Sequence, residues 1–127
     1  MEPRGTDGEG TERWRRAAIA GALLVIGLVA PSPLGRHPEF SRVGPDKLLH
    51  VVGHAGFAAT LADALATADR DRPTAGVLAV VGSMAVGLCA AGLQRWVPGR
   101  VPERADTVAG LVGSVLGVWW LFRRTGR

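Results

Sequence analysis

Six polar residues have the types and spacings from which chemistry could be built, and they fall in two short stretches. Residues 44–50 read GPDKLLH and residues 94–106 read QRWVPGRVPERAD. In the first stretch Asp46 and His50 stand four apart, and His54 follows four later. On a helix this spacing stacks all three along one narrow stripe. In the second, Arg100 lies between Gly99 and Pro102, so the chain turns tightly around it. An arginine held in this way suits two-pronged binding of a carboxylate or phosphate. The chemistry open to the set uses His50 as acid or base, with Asp46 or Asp106 to orient or charge it. Arg100, Gln94 and Lys47 would then hold an anionic group.

Each residue also has an ordinary structural role. Asp46 after Pro45 and Asp106 before Thr107 are both placed to cap a helix. Gln94 can satisfy backbone groups at a helix end, and Arg100 can be an interfacial arginine. Asp63, further along the segment that holds the histidines, reads as a solvated interfacial acid. His50 and His54 are harder to absorb, because they lie one and two turns into an apolar segment. Polar groups at such depth must face protein or water. Their spacing also fits two metal ligands on one helix face. No other apolar segment offers a carboxylate at that depth, so no metal and no other cofactor is expected. The single cysteine, Cys89, lies inside an apolar run and reads as a small hydrophobe rather than a nucleophile.

The elements that must position these residues follow from where the charges are missing. Of 127 residues, 47% are apolar and 20% charged, and the charges are nearly absent from four blocks and crowded between them. There are 18 glycines and no tyrosine, and small residues let membrane helices approach closely. The expectation is an all-α integral membrane four-helix bundle with short loops. A disordered tail over 1–13 precedes a single domain over 14–127, with spans near 15–32, 48–68, 74–93 and 105–122. The first apolar run, 17–30, is short against the roughly 20 residues a crossing needs. Trp14 and the stems of Arg15 and Arg16 extend it into the headgroup layer. A cleaved signal peptide is the rival reading, since a basic start, an apolar run and Ala30 are present. Leu28 fits poorly three positions before such a cut.

Four crossings place the N-terminal tail, the second loop and the C-terminal tail on one side, with nine arginines between them. These are Arg4, Arg13, Arg15, Arg16, Arg70, Arg72, Arg123, Arg124 and Arg127. The opposite side has six basic residues: Arg36, Arg42, Lys47, Arg95, Arg100 and Arg104. The richer side is expected to be cytoplasmic, with both termini. Both polar stretches then share the outer face. The basic residues are scattered over every polar segment rather than gathered in a patch, which argues against nucleic acid despite a pI near 10.9. Membrane lipids are the expected partners, with an anionic lipid-linked or envelope ligand at the outer face. Small residues four apart, Ala79-Ser83-Gly87-Ala91 and Ala109-Gly113-Gly117, offer packing seams within the bundle or between copies in a homo-oligomer.

The motif Asp46-Lys47-x-x-His50, followed by Gln94-x-x-x-Pro98-Gly99-Arg100 and then Asp106 before a glycine-rich segment, resembles the VanZ-like family. The resemblance covers about 46–117. It implies a small, four-span membrane protein. The family's usual glutamate three residues before the glutamine is Ala91 here, and its usual asparagine after the aspartate is Gly110. A non-catalytic or accessory factor acting at the outer face in cell-envelope processes tolerates such losses. An enzyme acting on a lipid-linked substrate through His50, Arg100 and an aspartate is the alternative. A channel or transporter fits less well, since polarity is concentrated at one end and broken mid-membrane helices are missing.

Overall fold

Asp71 shows how the sequence sets a helix boundary here. Its carboxylate accepts a hydrogen bond from the Thr74 hydroxyl and another from the Thr74 backbone, which hold it below the usual carboxylate range. The Asp71 carbonyl receives the Ala75 N–H at 2.9 Å. Pro73 follows within the first turn, where a missing N–H leaves no helical bond unmade. The helix that starts from this cap, α3, runs over Arg72–Gln94. Its companions are α1 over Thr6–Val29, α2 over Pro45–Thr67 and α4 over Arg104–Thr125. This computed structural model describes residues 6–29, 45–67, 71–94 and 104–125, and only the backbone of 6–7, 29, 45–47, 67, 94 and 104–106.

The described residues are all helical apart from Asp71, and they contain no strand. Two of the helices, through Leu48–Ala66 and Arg72–Leu93, are long and apolar enough to cross a membrane. The tail expected to be disordered through residue 13 is instead helical from Thr6. Glu12 accounts for part of this, lying 3.6 Å from Arg16 and 3.9 Å from Arg15, one turn on. Arg13 accounts for more, because it reaches across to α2 and ties the first turns of α1 to the bundle. Residues 30–32, the end of the expected first span, lie outside the described residues.

The order of contacts gives the topology. Along α1 and α2, Arg13 meets Asp63, Gly21 meets Phe57 and Leu24 meets Gly53, so the two run antiparallel. Leu61 lies against Gly82 and His54 against Gly87, so α3 is antiparallel to α2. Val51 faces Gly113 and Ala55 faces Gly117, so α4 runs parallel to α2 beside it. The starts of α2 and α4 and the end of α3 therefore share one end of the bundle.

Two apolar clusters fill the interior. Leu24, Leu28, Phe57 and Ala90 join α1, α2 and α3, while Ala58, Ala62, Ala79 and Val118 join α2, α3 and α4. The interior is otherwise made of small side chains, and the largest that are completely buried are Ser83 and Ser114. Large apolar side chains point outward instead. Ile26 on α1, Leu49 on α2, Val77 on α3 and Val108 on α4 are each about 60% exposed, at 62%, 63%, 64% and 59%. The small-residue stripes act as seams within the bundle. A Cβ at Gly113 would fall 2.8 Å from the Val51 Cα, and one at Gly117 would fall 2.7 Å from the Ala55 Cα. Any side chain at either position would push α4 off the α2 backbone.

Candidate functional site

His54 is the polar residue around which α2, α3 and α4 are fitted. It sits on the face of α2 that Val51 and Ala55 present to α4, and it is only 3% exposed. Its ring occupies space left by two missing side chains. A Cβ at Gly87 would lie 2.8 Å from its Cε1, and one at Gly110 would lie 2.9 Å from its Nε2. Glycine at these two positions is what lets an imidazole fit between three closely packed helices. Its Nδ1 is 2.8 Å from the Ser83 hydroxyl on α3. The Ser83 hydroxyl is in turn 2.8 Å from that of Ser114 on α4. Ser114 reaches the Gly110 carbonyl, one turn back, at 2.7 Å.

The Ser114 hydroxyl donates toward both Ser83 and the Gly110 carbonyl. One further proton, carried by Ser83 or by the ring, makes the contact between Ser83 and His54 Nδ1. Each serine is thus bonded within the bundle, which avoids the roughly 1–3 kcal/mol that an unmade bond in the interior costs. Both serines are fully buried, so Ser83 is a link between helices rather than a nucleophile open to a substrate.

The residues expected to form the site are placed unevenly. Asp46 and Lys47 lie in the first turn of α2, Gln94 is the last residue of α3 and Asp106 lies in the first turn of α4. Helix topology thus brings their backbones to one end of the bundle. Their side chains lie outside the described residues, as does the whole of Arg100. His50, one turn before His54, is 5% exposed and so faces the interior at that same end. Among the described residues no group of three or more His, Cys, Asp or Glu is arranged to hold a metal ion.

Asp63 is not the solvated acid the sequence suggested. It accepts a hydrogen bond from Arg13 at 2.9 Å, with the two side chains 29% and 33% exposed. Ser83 and Ser114 were missed as partners of His54. Their signal was available: each is a lone hydroxyl inside an apolar run, and each sits in or beside a small-residue stripe. Gly110, where the VanZ-like pattern has asparagine, is here the floor beneath the His54 ring, and an asparagine would collide with it. No family model, curated protein or solved structure matches the chain.

Proposed function

We propose that the protein is a VanZ-like membrane protein crossing the bilayer four times, with both termini cytoplasmic. It acts as a non-catalytic, accessory factor at the outer face in cell-envelope processes. The distribution of side chains supports the membrane setting. Alanine, serine and histidine make up most of the interior, while every helix turns leucine, isoleucine or valine outward. A soluble monomer seldom exposes an apolar surface of that extent. Helices of 22 to 24 residues are about 33–36 Å long, which suits a hydrocarbon core of roughly 30 Å.

The observation that carries the non-catalytic reading is the His54–Ser83–Ser114 chain. Its members are bonded to one another and sealed by Gly87 and Gly110, and both serines are fully buried, so no substrate reaches either hydroxyl. What it does is fasten α2, α3 and α4 together beneath the end where the outer-face residues gather. Acting as a rigid support for that end is consistent with the absence of the family's usual glutamate and asparagine.

Complementation of a deletion strain tests this reading, with uptake of an otherwise impermeant dye as the measure of envelope integrity. The accessory reading expects His50→Ala, Arg100→Ala and Asp106→Ala each to lower complementation in part. Gly113→Leu, which prevents α4 from seating on α2, abolishes it. Complete loss with each of the three polar substitutions, at normal protein levels, would favour the enzymatic alternative.

A further inference from the structure

The end of the bundle opposite the outer-face residues has a cationic surface with no ion-pair partner among the described residues. We propose that this surface, formed by Arg123 and Arg124 of α4 with Arg72 of α3, binds the phosphate headgroups of anionic lipids in the cytoplasmic leaflet. The inference rests on the four-span membrane reading above.

Three aromatic rings in one turn of α4 each hold an arginine. The Arg123 guanidinium lies over the Trp119 ring and that of Arg124 over the Trp120 ring, both 5.2 Å from the centroid. Each pair is spaced four residues apart, so the arginine stands one turn above its ring. Arg72 lies over Phe122 at 5.7 Å and donates to the Thr125 carbonyl at 3.1 Å. A guanidinium that stacks through its flat face keeps its N–H edge free for an oxyanion. Trp119 and Trp120 are 54% and 53% exposed, as rings in a headgroup layer should be.

Among the described residues, three carboxylates at this end are engaged elsewhere. Asp63 is paired with Arg13, Glu12 with Arg15 and Arg16, and Asp71 with Thr74. Among the described residues neither Arg123 nor Arg124 has an ion-pair partner. Pre-stacked, the two are already shaped for phosphate. An arginine meeting an anionic leaflet enriches the lipid beside it by roughly fivefold.

The test uses the full chain with Trp14→Phe and Trp96→Phe, so that Trp119 and Trp120 give the fluorescence. It is reconstituted into vesicles of phosphatidylcholine and phosphatidylglycerol in equal parts, with acyl-chain bromine on one lipid or the other. Stronger quenching by brominated phosphatidylglycerol is expected, and Arg123→Gln with Arg124→Gln should remove that excess. The same double variant should still be quenched by brominated phosphatidylcholine in vesicles of that lipid alone, since it remains inserted. Equal quenching by the two headgroups in the parent chain, or an excess that survives the substitutions, overturns the lipid site while leaving the membrane reading intact. No quenching by either lipid overturns the membrane reading, and the lipid site with it.

Discussion

α2 meets two neighbours in opposite ways. Against α4 it offers bare backbone, with Val51 and Ala55 lying where Gly113 and Gly117 have no side chain. Against α1 it offers side chains: Phe57 beside Gly21 and Leu24, and Asp63 beside Arg13. The first contact gains dispersion through closeness, as small-residue seams do in membranes. It also leaves no room for adjustment, since a peptide unit cannot rotate out of the way. The second contact is made by groups that have rotamers to spare. Rigidity is therefore concentrated at the seam that holds His54, and tolerance at the seam that holds α1.

The sharpest way to break this contrast is to add one methyl group to each seam. Gly113→Ala places its Cβ against Val51 backbone and should destabilise the bundle by about 3 kcal/mol. Gly21→Ala meets only the edge of the Phe57 ring, 2.9 Å away, which can turn aside. Its cost should stay below about 1 kcal/mol. Reversible unfolding in mixed micelles, followed by helical circular dichroism, reads both. Equal costs would mean that the two seams are alike.

Ser83→Ala comes next in size. It leaves His54 Nδ1 and the Ser114 hydroxyl without their shared partner, a loss of about 1–3 kcal/mol by the same measurement. Asp63→Asn should cost less than about 1 kcal/mol, because its pair with Arg13 is partly exposed and screened by salt. Added salt should weaken the parent contact and leave the variant unchanged. The smallest effect concerns the Asp71 cap. Its bond to Thr74 lowers the carboxyl pKa, so the cap is at full strength above the ordinary carboxylate range and is lost as pH falls through the lowered value. Faster amide exchange at the start of α3 in acid, with the rest of the helix unaffected, is the expected outcome.

The helices were legible because long apolar blocks separated by prolines and charges admit few other structures. The seams were legible too, since Gly113 and Gly117 are small at helical spacing and face one neighbour. Which neighbour they face was not, because spacing within one helix says nothing about the surface opposite. The same limit hid Ser83 and Ser114, whose meeting with His54 depends on the register of three helices. The start of α1 was misread for a related reason. Residues 6–13 look solvated and glycine-rich by composition, and part of what orders them is Asp63, fifty residues away. For the candidate site the sequence points to Asp46, Arg100 and Asp106, and the bundle's topology brings the starts of α2 and α4 to one end.

The most direct measurement is the sidedness of four single cysteines in a Cys89→Ala background, using a maleimide that cannot cross membranes. With four crossings, Asp46→Cys and Asp106→Cys should react in intact cells. Glu9→Cys and Thr125→Cys should react only after the membrane is opened. Labelling of positions 46 and 106 from opposite sides, or recovery of the protein in the soluble fraction, would contradict the four-span bundle.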